Sequence, residues 1–256
     1  AAVAARMQIG HFMTEMVFKA LAAATPDNII AESGGTPAQT NIFYGKRYDS
    51  APWLTMIIRG GGLGAGSRMD GHHCAIFPAN GANTPVEIFE SDTPLIVEER
   101  SLVCDSGGPG KMRGGLGRKM TIRVPDDEFA PRGPISIAVQ AGRYKYPPRG
   151  LFGAGSGTGA RFLINGEIGD PSGLTLCQPG DVIEFDSAGG GGYGDPLLRD
   201  PLAVEADVVN GYVSIEKARE DYGVVIDPTT LKVDAAETEK VRAGRNSKIE
   251  DLRFKI

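Results

Sequence analysis

A chain of 256 residues, 41% hydrophobic and 23% charged, is long enough for one large domain or two modest ones with a self-sufficient core. Its net charge of −5, from 27 Lys and Arg against 32 Asp and Glu, argues against a general nucleic-acid or anionic-membrane partner, which would need a positive field. Thirty-six glycines and 17 prolines disfavour long helical bundles and point to a β-rich or α+β body with many sharp connections.

In chain order, Val3, Met7, Ile9, Phe12, Met13, Met16, Val17, Ala20 and Leu21 recur at three- and four-residue spacings. This predicts an amphipathic helix over residues 1–24, ended by Thr25-Pro26-Asp27. The first residues already read as mid-helix, with no cap or initiator methionine, as expected of a processed chain, a split subunit or the continuation of a larger fold. Arg6, Gln8 and His11 precede any apolar run and no stretch reaches eighteen apolar residues, so neither a signal peptide nor a membrane span is expected.

Between residues 28 and 196 short apolar runs alternate with Gly, Pro and Asp clusters. Asn41–Tyr44, Trp53–Ile58, Pro94–Val103, Lys119–Val124, Ile135–Ala141, Arg161–Ile164 and Val182–Phe185 read as strands of an antiparallel or mixed sheet, and Asn165-Gly166 as a hairpin turn. Beyond them Pro201 opens a helix through 209 with Gly211 at its end, and Ser214 caps a second over Ile215–Asp221. The expected organisation is an N-terminal helix over 1–27, a β-rich core over 28–196, a helical pair over 197–228, and over 229–256 a surface helix and charged tail that docks on a partner. The fold class is therefore α+β, a β-rich centre with glycine loops flanked by helices.

Glycine clusters recur at 60–66, 107–110, 114–117, 153–159 and 189–194. Consecutive backbone N–H groups can cradle an anion, but no GxxxxGK[ST] string occurs, and tight turns and close crossings of neighbouring backbone are the commoner uses of such loops. If one met a phosphorylated intermediate, Arg113 and Arg118 would supply charge-assisted bonds; a solvated face or subunit contact is the rival reading for Arg113, Arg118 and Lys119. Asp70-Gly71-His72-His73-Cys74 packs four ligand types into five positions, yet neighbours on an extended backbone point to opposite faces, so a substrate-facing polar loop and an ordinary turn stand beside the metal reading. Asp105 and Asp195 read as turn caps, with a general-base role requiring a tuned pKa. Cys74, Cys104 and Cys177 are odd in number and widely spaced, consistent with a reduced, cytoplasmic setting, and read as buried apolar residues.

Ser33-Gly34-Gly35-Thr36, Asp70-Gly71, Phe77-Pro78-Ala79-Asn80, Asn83-Thr84-Pro85-Val86-Glu87, Pro94-Leu95-Ile96-Val97-Glu98, the run from Asp105 to Gly117, Gly180-Asp181-Val182 and Gly189 to Pro196 follow in one order. In that order they resemble the hydantoinase B/oxoprolinase family over residues 1 to about 226, as the C-terminal half of a B-type subunit. The resemblance implies an ATP-dependent heteromeric enzyme acting on a small carbonyl compound. A hydantoinase A-like partner would bind ATP and phosphorylate the substrate, and the N-terminal half of the B-type subunit, or a partner, would carry a divalent metal. It implies hydrolytic opening of a cyclic amide of the hydantoin or oxoproline type, with ATP-dependent carboxylation of a ketone and a non-catalytic scaffold as alternatives. The residues singled out on this reading are Asp70, His72 and Asp105 for catalysis, and Arg113, Arg118, Gly107 and Gly108 for substrate or phosphate; no metal is assigned to this chain.

Overall fold

The computed structural model describes residues 7–253 apart from 37, 38, 80, 82 and 141. Of the sequence expectations, helix residues 1–6, Asn80 of the Phe77–Asn80 string, Ala141 at the end of its strand and 254–256 of the tail lie outside the described residues. Helix α1 spans Met7–Leu21, β1 Gln39–Lys46, β2 Pro52–Arg59, α2 Val86–Asp92, β3 Ile96–Leu102, β4 Arg118–Arg123 and β5 Ile135–Gln140. β6 follows at Arg161–Ile164, β7 at Glu167–Ile168, β8 at Leu174–Cys177 and β9 at Val182–Asp186, then α3 at Pro201–Val209, α4 at Ile215–Tyr222 and α5 at Ala235–Arg253.

The strands form two antiparallel sheets, in the orders β2-β1-β5-β8 and β3-β4-β9-β6-β7. Alternation puts Phe43, Ile57, Ile135, Ile137 and Val139 of the first sheet into one apolar core with Met120, Ile122, Phe162, Ile183 and Phe185 of the second. Phe43 meets Phe185 edge to face across the gap, centroids 6.1 Å apart, and α2 adds Phe89. The Asn165-Gly166 hairpin is present, with φ of 52° and 81°. A second, smaller core of Val204, Val208, Val213, Ala218, Tyr222, Val224 and Ile226 holds α3 and α4.

Gly153 and Gly194, at φ +89° and +72°, serve turns, but most glycines of the clusters serve close backbone crossings. None of Gly189, Gly190, Gly191 or Gly192 has positive φ, nor does any glycine of 60–66 or 107–117. They run instead as extended segments laid side by side outside either sheet. Gly34 N donates to Gly62 O (2.7 Å), Gly62 N to Ala188 O (2.9 Å), Gly115 N to Leu63 O (2.8 Å), Gly190 N to Gly115 O (2.8 Å), Gly108 N to Gly190 O (2.8 Å) and Gly192 N to Gly155 O (3.1 Å). The backbones approach so closely that a Cβ on Gly189 would sit 1.7 Å from Ser106 O, and one on Gly62 1.8 Å from Gly115 O. Absence of a side chain at a crowded axis is the packing rule of collagen, here applied within one chain.

Helix α1 has the predicted periodicity with an unexpected orientation. Ile9, Met13, Met16, Val17 and Leu21 are exposed, while His11 and Glu15 are buried. Glu15 pairs with Arg143 and accepts from Ser33 N at 2.6 Å. No helix among the described residues is long and apolar enough to cross a membrane.

Candidate functional site

Asp70 and Arg113 come together where the glycine bundle meets the C-terminal helices. Asp70 Oδ1 accepts from Arg113 N (2.7 Å) and Arg199 Nη1 (2.7 Å), and Oδ2 accepts from Arg199 Nη2 (2.7 Å). Arg199 Nη2 also donates to Asp207 Oδ2 (2.8 Å), and Arg113 Nε stands 3.2 Å from Asp207 Oδ1, an ion pair too poorly aligned for a hydrogen bond. Two carboxylates and two guanidiniums thus close a neutral network. Arg113, Arg199 and Asp207 are buried, and only the Asp70 side chain keeps an edge at the surface, 35% exposed. Burial alone would raise the Asp70 carboxyl, but its bonds to Arg199 and the charge of Arg199 outweigh that and hold it below its ordinary value. Burial likewise pulls Arg199 down, and Asp70 and Asp207 reverse the sign, holding it above its ordinary value.

Neighbouring groups extend the junction. The Arg113 guanidinium lies 5.2 Å from the centroid of Tyr212, whose ring meets His73 edge-on at 4.7 Å. His73 Nδ1 accepts from Leu116 N (2.9 Å), and burial together with Arg113 holds its imidazole below the ordinary value. Asp105, at φ +61°, uses Oδ1 to accept from Ser214 N (2.8 Å) at the start of α4, and its N–H donates to Tyr212 O (3.0 Å). His72 is exposed beside Asp70. Arg199 and Asp207 were not legible as site residues: each lies outside every family string, and nothing in the spacing ties Arg199 to Asp70, 129 positions away.

Arg118 stands apart, at the first position of β4, with Nη1 donating to Asn83 Oδ1 (2.8 Å). Burial, Arg100 and Cys74 all act on it, the net effect lowering it to about 10. Both Arg113 and Arg118 are buried, which corrects the solvated-face reading; Lys119 does lie toward solvent, paired with Glu99 and Glu184. Gly108 spends its N–H on Gly190 O, and a Cβ on Gly107 would meet Gly114 O at 2.2 Å, so both belong to the packed bundle. The N–H groups of Gly62, Gly114, Gly115 and Gly189 to Gly192 are also taken by carbonyls, which leaves none of them to cradle an anion.

Among the described residues no group of three or more His, Cys, Asp or Glu is placed to hold a metal ion, so the Asp70-to-Cys74 run does not fit a metal centre. Cys177 is buried and its thiol pushed up to about 12, Cys74 is half-buried and raised by the same cause, and Cys104 is exposed, against the expectation that all three are buried.

A two-sheet α+β sandwich seated on a side-chain-free glycine bundle, and bolted to a helical module by an Asp–Arg network, is a scaffold in which backbone packing dominates. The chain belongs to the Hydantoinase B/oxoprolinase family, which matches residues 1–196. It is similar to the B-type subunit of the putative D-/L-hydantoinase of Pseudomonas sp. (strain NS671), with 32% identity over 93% of this chain and 40% of the relative. Identity with the beta subunit of the caprolactamase of Pseudomonas jessenii is 31%, over 91% of this chain and 41% of the relative. The crystal structure of the ATP-dependent caprolactamase from that organism superposes with a TM-score of 0.72 at 32% identity, covering 88% of this chain and 40% of that one. The chain therefore spans about two fifths of the length of these relatives.

Proposed function

We propose that this chain is the C-terminal portion of a B-type subunit in an ATP-dependent, hydantoinase-type complex, and that the complex opens a cyclic amide hydrolytically. The observation that carries the reading is its likeness to the B-type subunit of a hydantoinase and the beta subunit of a caprolactamase, each over more than nine tenths of the chain. Hydantoins and lactams share a ring amide, whose weakly electrophilic carbonyl becomes open to water once its oxygen is phosphorylated. ATP would be held by a hydantoinase A-like partner, and no group of three His, Cys, Asp or Glu among the described residues is placed to hold the metal the resemblance implies, which would then be held by the N-terminal half of the subunit or a partner.

Within this reading residues 28–196 are the β-rich unit, 197–228 the helical pair, and 229–256 a segment reaching toward a partner. Asp70 acts through position: its bonds to Arg199 and Arg113 fix the loop that presents His72 outward. His72, free of the network, is the member of that loop available to substrate or to a partner subunit. Arg113, Arg118, Gly107, Gly108 and Asp105 shape the body behind it.

The test is an assay of the intact complex with ATP and, in turn, a hydantoin, 5-oxoproline and caprolactam. Ring-opened product formed with stoichiometric ADP is the expected outcome. Consumption of acetone or acetophenone only when bicarbonate is added, with no ring opening, would replace the reading by ketone carboxylation. Unchanged turnover in His72→Ala, with the complex lost on truncation at 246, would favour the scaffold role.

A further inference from the structure

The two sheets of the sandwich turn opposite kinds of outer face away from their shared core. On the second sheet the outward positions pair as polar rows: Ser101, Lys119, Asp186 and Arg161 stand side by side across β3, β4, β9 and β6, with Glu99, Thr121 and Glu184 in the next row. Lys119 bridges Glu99 (3.1 Å) and Glu184 (3.3 Å) there, and Arg161 Nε donates to Asp186 Oδ2 (2.8 Å). That is the alternation expected of an antiparallel sheet with one side in water.

The first sheet breaks it. Phe43, Trp53, Ile57, Ile137 and Val139 point into the core, and the positions between them are apolar as well. The register places Leu54, Tyr44, Ser136 and Leu176 in one row across β2, β1, β5 and β8. Met56, Ile42, Ala138 and Leu174 form the adjacent row. Apart from Ser136 and the Tyr44 hydroxyl both rows are apolar, and neither holds a charge. No element among the described residues lies over them: Leu54 is 71% exposed, Leu176 59%, Leu174 57% and Met56 51%.

A sheet patterned for burial on both faces calls for a further layer. Its size decides what kind. Two rows across four strands about 4.8 Å apart cover on the order of 250 Å², against about 800 Å² per partner in a stable, separate complex. A second copy meeting this face on its own has too little area to hold, whereas a layer joined to the chain by further contacts needs no separate affinity here. The B-type relatives supply such a layer: the chain spans 40% of the hydantoinase subunit and 41% of the caprolactamase subunit, so the larger part of such a subunit lies outside it.

We propose that the outer face of the β2-β1-β5-β8 sheet seats that larger part of the B-type subunit, which lays an apolar layer across Leu54, Met56, Leu174 and Leu176. The inference rests on the assignment of the chain to a B-type subunit and is indifferent to whether the complex opens a ring or carboxylates a ketone.

Peroxide oxidation of Met56, read peptide by peptide by mass spectrometry, tests the cover in the 256-residue chain, in the intact B-type subunit without its A-like partner, and in the assembled complex. Met56 should oxidise about tenfold more slowly in the subunit than in the chain, with no further protection on assembly. Leu54→Glu combined with Leu174→Glu should restore fast oxidation in the subunit while leaving the melting temperature of the chain within about 2 °C. Equal rates in chain and subunit would overturn the proposal, and protection that appears only when the A-like partner joins would give the face to that partner instead. A dimeric chain with Met56 already protected, made monomeric by the double substitution, would give it to a second copy. A complex inactive on every ring and ketone, with Met56 protected in the subunit, would sink the functional reading and leave the covered face standing.

Discussion

Asp70 illustrates how a residue can sit in a suggestive motif and serve a different end. Its neighbours His72, His73 and Cys74 invite a ligand reading, yet its carboxylate is spent on Arg199 and the Arg113 N–H. Because the folded carboxyl is held below its ordinary value, its stabilisation is complete above the unfolded value near pH ~3.9 and is lost as pH falls through the folded one. Asp70→Asn should therefore be less stable at pH 7 and lose less on acidification, so that urea midpoints of the two proteins converge toward pH 2; parallel curves would refute the linkage. Arg199→Met is the harsher change, since it strands Asp70 and buried Asp207 without their shared cation, and it should cost about 3–5 kcal/mol by chemical denaturation. Adding Asp70→Asn to Arg199→Met should recover part of that loss. Sequence reading placed Asp70 and Arg113 among the important residues but could not see Arg199 or Asp207, because a network closed across 129 positions leaves no local spacing.

Elements were legible where a period or a cap carries them. Strands β1, β2, β3, β4, β5, β6 and β9 and helices α1, α3 and α4 stand where alternation, 3.6-residue spacing, Pro201 and Ser214 put them, and Ser214 Oγ accepts from Lys217 N at 3.1 Å. Helix α2 and strand β8 escaped notice, being seven and four residues long with no marked apolar period. The inverted face of α1 was also hidden, since periodicity reports that two faces differ and not which one turns inward. The glycine clusters are legible as sites of tight turns or close backbone crossings, but which of the two each serves is not, because a single sequence shows that a side chain is missing and not what occupies its place. Their role yields a sharp contrast: Gly190→Ala would put a Cβ 2.1 Å from Leu63 O and should destabilise by about 3 kcal/mol, the upper end of overpacking. Gly10→Ala, in α1 with nothing within 4 Å, should stabilise by up to about 1 kcal/mol. Thermal unfolding of the two variants side by side decides whether crowding, rather than backbone freedom, explains the glycine content.

At the scale of the molecule, the sandwich runs into the bundle where β2 ends at Arg59 and β4 begins at Arg118, and the bundle is tied to the helical module through Asp70, Arg199 and Asp207. Helix α5 adds a further tie. Thr238 Oγ1 accepts from Val225 N (3.0 Å), Arg242 donates to Tyr222 O (3.1 Å) and Arg199 O (2.8 Å), and Arg245 donates to Glu220 O (2.7 Å) and Arg219 O (2.8 Å). The expected partner-docking segment over 229–256 thus begins with residues that serve this chain's own fold, and the two roles separate by truncation. Deletion from 235 onward removes all five bonds, each worth about 1 kcal/mol net, and should unfold the α3–α4 core at lower denaturant than the sandwich. Deletion from 246 onward removes none of them and should leave stability unchanged within about 0.5 kcal/mol. If the shorter deletion nevertheless weakens co-purification with partner subunits, docking belongs to the residues past 245. If assembly fails only together with the α3–α4 core, the partner recognises the folded module, and the network of Asp70, Arg199, Asp207 and Arg113 becomes the link between that surface and the His72 loop.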